Sequence, residues 1–426
     1  MTSKDFWYCT RLELTRETGA VRYSRFFREA AKALFPARFN NNPPKLPESE
    51  FIFVIITENH LKHFQPVAKE LWRQNRSFSI VFTNEALFKK YAPEWPGISF
   101  SIQSWIGQRQ YFQAVLFQSA LLLSNIFTPS QKRSVIIRFA KPACLIHQTM
   151  LRLLSGTSLK VILFKAEAYQ ANAVLLACKQ VKTPSFAIQH GLIGDTDQIT
   201  DLAVDRYLVW SEFFKKRLED RQANCAVQIT GNAAYDGVFQ AVAESKAPLL
   251  QNNPIKLLVL PSAGFSHTPI HQVYSLLEAS LHFARNNPAA RISVKPHPAD
   301  HTENTQRFLK PYLPSCSNLQ LLDRLDEIPF EQHHLVAINN SGAGMEACIW
   351  ARPLVVFSTN WEDVQVKQYI DYGVAEYADT QKAFSDKILK INNQYVHYQE
   401  RCRAFSKEQL AFPGQAAKKI VEVLSC

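Results

Sequence analysis

Ser293-Val-Lys-Pro-His-Pro298 is the stretch around which this chain is organised. The run from Arg291 to Val294 predicts a strand, and two prolines then fix the backbone on either side of one imidazole. That puts His297 at the carboxyl end of a parallel strand, where open α/β sheets bind ligands. A second loop, Asn339-Asn-Ser-Gly-Ala-Gly-Met-Glu346, follows the next strong strand signal. A third, Gln189-His-Gly-Leu-Ile-Gly-Asp-Thr-Asp197, lies far upstream.

Outward from these loops the pattern alternates. Phe51 to Ile56 is a continuous apolar run, as expected of a strand buried on both faces. Further strands are expected at 78–81, 161–164, 185–188, 206–210 and 227–229, with helices between them. After the polar segment Glu244 to Pro254, the alternation restarts with strands at 256–260, 291–294, 335–338 and 354–357. Repeated strand–helix alternation means parallel sheets with right-handed crossovers. The expected division is an N-terminal domain over 1–245, a second over 255–400, and a C-terminal helix over 401–426 that can pack back on the first. Two such domains form a cleft, and all three loops face it if both sheets present their carboxyl ends there.

The 426 residues suit two α/β domains, and 46% hydrophobic residues suffice for packed cores. A net charge of +11 and a pI near 9.2 point to a basic face, with anionic lipid or a polyanion as the sharper readings. Nucleic acid ranks lower, since no RNP-type motif, zinc-finger spacing or Arg-rich block occurs. Eight scattered cysteines without a C-x-x-C pair read as buried thiols in a reducing compartment. No signal-peptide core is present at the N-terminus. The apolar stretch Tyr111 to Phe127 is shorter than a membrane span and interrupted by polar residues, so it reads as a buried or interfacial helix. Residues 22–35 have helical spacing and either pack on the first domain or touch a membrane surface. The expected location is cytoplasmic, with peripheral attachment at the inner face of the membrane.

The loops carry the chemistry. Ser341-Gly-Ala-Gly344 runs into a helix whose first amides and positive dipole end suit a phosphate, and Glu346 either caps that helix or accepts from a ribose. No Lys follows the glycines, so this is no Walker loop. His297 can donate to a phosphate or to charge developing on a leaving group, and Lys295 adds positive charge or simply ends the strand. His190 precedes Gly191, and Asp195 and Asp197 are carboxylates able to act as base or nucleophile or to be plain turn residues. Asp-x-Asp with one histidine is too little for a metal site, so none is expected.

Together Gln189-His190-Gly191, Thr230-Gly231-Asn232, Lys295-Pro296-His297-Pro298, and Ser341 with Glu346-Ala347 resemble bacterial surface-polysaccharide glycosyltransferases that carry an HP motif. That group includes Kdo transferases, capsule enzymes and sialyltransferases; the CDP-glycerol polymerases look similar too. The resemblance implies an α/β GT-B fold of two Rossmann-like domains with an interdomain cleft. It implies a CMP-sugar, Kdo first, as donor substrate and no further cofactor. The partner is then an oligosaccharide or lipid-linked glycan acceptor. It carries the donor nucleotide onto His297, Ser341, Gly342 and Glu346; with the loop readings above, the candidate donor-binding residues are Lys295, His297, Ser341, Gly342, Gly344 and Glu346, and the candidate catalytic residues His190, Asp195, Asn232, Asp236 and His297. The sialyltransferases' Asp/Glu-Asp-Gly tripeptide has no counterpart, and the Thr-Gly-Asn loop continues Ala233-Ala-Tyr-Asp236 instead of Pro-Arg-Phe-Asp. If configuration is retained, Asp236, Asp195 or Asp197 is the nucleophile, or Asn232 stands where others have a carboxylate. The competing readings are a CDP-polyol phosphotransferase, a UDP-sugar 2-epimerase and a glycan-binding subunit without catalysis.

Overall fold

The computed structural model of the chain describes residues 1–2, 5–6, 44–123, 135–164, 166, 168–191, 193, 203–245, 254–264, 268–300, 303–324, 327–364 and 366–426. It divides into two compact units. Unit 1 takes Met1–His190, Thr196–Asp236 and Gln415–Cys426; unit 2 takes Gly191–Asp195 and Gly237–Gly414.

Unit 1 holds a parallel sheet of seven strands: β1 Phe51–Ile55, β2 Phe78–Phe82, β3 Ser99–Ser101, β4 Lys160–Leu163, β5 Ser185–Ile188, β6 Arg206–Val209 and β7 Ala226–Ile229. Their order is β3-β2-β1-β4-β5-β6-β7. β1 is central and fully buried, which is why its sequence is apolar without alternation. The helix Asn59–Arg73 follows it and buries His60, Leu61, His63, Phe64, Val67, Ala68 and Leu71, a stripe of helical period. Phe64 meets the edge of Phe53 at 5.0 Å and of Trp95 at 5.0 Å, while Phe53 stacks on Phe164 at 6.1 Å. The last helix, Ala416–Ser425, completes this core with Ile420, Val421, Val423 and Leu424. Lys160 Nζ holds its end by donating to the Leu424 carbonyl at 2.7 Å.

Unit 2 holds six parallel strands: β8 Lys256–Leu260, β9 Arg291–Val294, β10 Leu319–Leu321, β11 Leu335–Ile338, β12 Leu354–Phe357 and β13 Ala375–Ala378, in the order β10-β9-β8-β11-β12-β13. The chain builds outward from β8 through β9 to β10, then returns to the other side of β8 with β11. The order therefore reverses between β8 and β11, the place where sheets of this kind open a crevice at their carboxyl edge.

Both units are Rossmann-like. The predicted strands are present, and three unforeseen ones join them: β3, β10 and β13, each at a sheet edge. The expected helix over 22–35 lies outside the described residues, as does the end of the one expected over 108–127, which runs Gln108–Leu123. Among the described residues no helix is long and apolar enough to cross a membrane.

Candidate functional site

Three loops leave the carboxyl edge of the unit 2 sheet around the switch point: 261–264 after β8, 295–298 after β9 and 339–342 after β11. Register keeps them level, because Ile338 pairs with Leu260 and Val294 with Val259. The last two are legible as motifs in the sequence; the first, Pro261-Ser262-Ala263-Gly264, carries no chemical signal there.

The Pro-His-Pro loop is braced from several sides. The Ala299 amide donates to Nδ1 of His297 at 3.0 Å. A ring nitrogen that accepts is unprotonated, so in the neutral ring the proton sits on Nε2, which is a donor. Lys295 is 3% exposed and donates through Nζ to the Arg324 carbonyl at 2.9 Å. Arg324 in turn donates through Nη1 to the Pro298 carbonyl at 3.0 Å. Lys295 is thus a buried strut of the loop. Asp300, also buried, accepts the amides of Asn304 at 3.1 Å and Thr305 at 3.0 Å, ending the loop in a short helix. Beside it lies a depression of about 380 Å³, lined in part by Pro296, Asp300, Glu303, Leu322, Asp323 and Arg324.

In the loop after β11, Ser341 Oγ accepts the Ala343 amide at 3.2 Å, which leaves the hydroxyl proton to donate. Asn340 Nδ2 ties the loop to the Asp363 carbonyl at 2.8 Å, and Asn339 Nδ2 donates to the Phe357 carbonyl at 3.0 Å. The glycines differ. A Cβ on Gly342 would meet nothing within 4 Å. One on Gly344 would stand 2.5 Å from Cε2 of Tyr369, so Gly344 is small because a ring packs against it. Reading Gly344 as a place for a ligand's approach is therefore corrected: its missing side chain is filled from within. Glu346 is half-buried in the first turn of the helix Ala343–Ile349.

In unit 1, Gln189 locks the end of β5 to that of β6. Its Oε1 accepts the Trp210 amide at 3.1 Å and its carbonyl the Trp210 indole at 2.8 Å. His190 follows, with its ring 5.6 Å from His60 and 6.4 Å from His63. Gly231, in the left-handed region at φ 78°, turns the chain after β7 into Asn232. Asn232 Oδ1 accepts the Ala234 amide at 3.1 Å, which fixes the orientation of its amide. His63 Nδ1 lies 3.1 Å from that same oxygen and must be the donor. Burial pulls His63 down to about 3, helped by His190 and Lys62, while its bonds to Asn232 and to the His190 backbone act the other way. Nδ2 of Asn232 is buried without a partner. Asn232 thus offers a donor, which is not what a substitute for a nucleophilic carboxylate would offer.

Asp236 is corrected too. Its Oδ1 accepts the Ala416 amide at 3.0 Å and its Oδ2 the Ala417 amide at 2.8 Å, so both oxygens cap the last helix and neither is disposed as a nucleophile. Burial raises its pKa against those two bonds. Asp195 and Asp197 lie outside the described residues. His63 and His60 were missed in the sequence, although Asn59-His-Leu-Lys-His63 puts two histidines one turn apart directly after the first strand. Among the described residues no three metal-ligating side chains are grouped to hold an ion.

The fold is of the GT-B type, two Rossmann-like units in one chain. Residues 239–365, which contain all three loops of unit 2, match the family described as Capsule polysaccharide biosynthesis protein. A putative UDP-N-acetylglucosamine 2-epimerase from Listeria monocytogenes is similar at 14% identity and a TM-score of 0.61, over 89% of this chain and 96% of that one. The UDP-GlcNAc 2-epimerase of Neisseria meningitidis, bound to UDP-GlcNAc, matches at 17% identity and 0.56, over 88% and 99%. A glycosyltransferase from Rickettsia africae matches at 11% and 0.53, over 89% and 98%. At such identities the likeness is one of fold. No curated protein matches the chain in sequence.

Proposed function

We propose that this chain is a glycosyltransferase of bacterial surface-glycan synthesis, taking its sugar from a nucleotide donor, with a CMP-activated ulosonic acid, Kdo first, as that donor. The observation that carries the reading is the Ala299 amide bound to Nδ1 of His297, which leaves Nε2 to carry the proton of the neutral ring, on a braced loop beside the switch point of unit 2 and level with Ser341. A donor nucleotide in this region has a hydrogen-bond donor from His297, a hydroxyl from Ser341 and open backbone at Gly342. Glu346 is the candidate ribose acceptor, and Lys295 contributes charge while holding the loop.

In the reaction an acceptor hydroxyl attacks the anomeric carbon as the bond from that carbon to the phosphate oxygen breaks. The electron pair leaves with the nucleotide, and His297 donates to the oxygen on which charge grows. The acceptor's proton passes to a carboxylate, for which Asp195 is the candidate. Within unit 1, Asn232 Nδ2 and His190 are the candidates for contacts to the acceptor glycan. The acceptor is an oligosaccharide or lipid-linked glycan at the cytoplasmic face of the membrane.

A second reading is favoured by the fold neighbours that handle UDP-GlcNAc: a UDP-sugar 2-epimerase. Thermal shift with CMP, CDP and UDP, followed by an assay of nucleotide release from CMP-sugars, separates the two. Stabilisation by CMP with release of CMP is expected; stabilisation by UDP, with epimerised UDP-GlcNAc and no nucleotide released, would replace this reading by the second.

A further inference from the structure

The helix Gln108–Leu123 carries large apolar side chains on both faces. Its inner face is settled by contacts: Ala114 and Tyr111 join Cys144 and Leu145 of the helix Lys141–Leu154, and Gln118 Nε2 donates to the carbonyls of Ile136 at 2.9 Å and Ile137 at 2.8 Å. The outer face carries Arg109, Phe112, Gln113, Leu116 and Ala120, all exposed. Phe112 is 48% and Leu116 52% exposed, and they stand one turn apart, so they form a single apolar ridge. A helix facing water normally carries charge on that side. Between Gln108 and Leu123 the one charged residue is Arg109.

The stretch of sequence around this helix is of one sign, although Asp5 of the N-terminal segment lies close to its inner side, where Phe6 meets Phe117. From Trp95 to Ala166 the sequence contains eight Lys or Arg and not one Asp or Glu. Arg109, Arg138 and Arg152 of this stretch are exposed. Arg152 donates to Gln110 Oε1 at 3.1 Å, and Lys141 donates to the Tyr111 hydroxyl at 3.0 Å, so two cations flank the helix through its own side chains. An apolar ridge with Arg109 on its own face, on a stretch rich in cations, matches an interface of apolar chains beneath anionic headgroups. A protein partner binding through a ridge of this kind would have no need of so long an acid-free stretch.

We propose that the outer face of the helix Gln108–Leu123 is a membrane-docking surface, in which Phe112 and Leu116 enter the acyl boundary of an anionic bilayer and the surrounding cations meet its headgroups. This rests on the reading of a membrane-associated acceptor for its purpose, but its test does not use turnover.

The full chain is sedimented with vesicles of phosphatidylglycerol mixed with phosphatidylcholine, and with vesicles of phosphatidylcholine alone. Binding to the anionic vesicles at low salt is expected, weakening as salt rises. The double variant Phe112→Ser with Leu116→Ser changes exposed side chains only and is expected to partition roughly tenfold or more weakly. Arg109→Gln is expected to weaken binding to anionic vesicles and leave the neutral ones unaffected. Three outcomes would overturn the proposal: no binding of the unaltered chain to anionic vesicles, equal binding to both kinds, or a folded double variant that binds as the parent does. Nucleotide binding measured on the same samples keeps this result separate from that of the proposed activity.

Discussion

His63 and Asn232 stand 169 residues apart in the chain, and 3.1 Å separates His63 Nδ1 from Asn232 Oδ1. The contact joins the helix after β1 to the loop after β7, so one imidazole sets how that loop presents its amide. Its titration is accordingly a property of the fold. Folded His63 titrates near 3 against an ordinary 6.5, burial being the main cause. Between those values the unfolded chain binds the extra proton, so stability rises with pH across this window and is lost on acidification. One such group contributes up to about 1.4 kcal/mol per pH unit. Urea midpoints from pH 7 to pH 4 are expected to fall less steeply in His63→Asn, which keeps a donor and cannot titrate.

His297→Ala is expected to lower turnover by ~100- to 1,000-fold, as loss of a donor to a developing anion typically does. Stability changes little, because the loop keeps its prolines, the Lys295 and Arg324 bonds and the Asp300 cap. Melting temperature and nucleotide release measured on one preparation decide the matter. Unchanged release from a folded variant removes His297 from the site.

Asp236→Ala has the opposite profile. It leaves two amides of the last helix uncapped, at a cost of about 1–2 kcal/mol. Turnover per folded molecule is expected to hold. A folded variant without activity would restore Asp236 as a candidate nucleophile.

Gly342→Ala and Gly344→Ala separate ligand access from packing. At Gly344 the new methyl meets the Tyr369 ring, and a loss of about 1–3 kcal/mol is expected from denaturant curves. At Gly342 it meets open space with φ at −65°, so stability is retained. A weaker nucleotide Kd in this second variant, by calorimetry, is the expected sign that a phosphate approaches the backbone there.

The fold was legible where strands are buried on both faces. β1 reads Phe-Ile-Phe-Val-Ile and β12 Leu-Val-Val-Phe, and both are wholly covered. The missed strands read Ser-Phe-Ser, Leu-Gln-Leu and Ala-Glu-Tyr-Ala. An edge strand has one neighbour, so its composition is mixed and its signal weak. Loop conformation was legible where proline or glycine constrains the backbone, as around His297 and at Gly231. A residue's role was not legible where it depends on partners distant in sequence. Asp236 looks like any acidic residue after a Thr-Gly-Asn loop until the amides of Ala416 and Ala417 are seen on it. Gly344 looks like part of a phosphate loop until Tyr369 fills its place.

The last helix also fixes an order of events at the ribosome. Residues Ala416–Ser425 belong to the core of unit 1, yet they are made after every residue of unit 2. Unit 2 therefore emerges with all its strands while the first-made unit still lacks Ile420, Val421 and Leu424, and its aromatic core stays open on that side. Domains generally fold as they are synthesised, the earlier one first. Here the sequence of completion is inverted, and the nascent N-terminal half waits, with apolar surface uncovered, for the final ten codons of this helix.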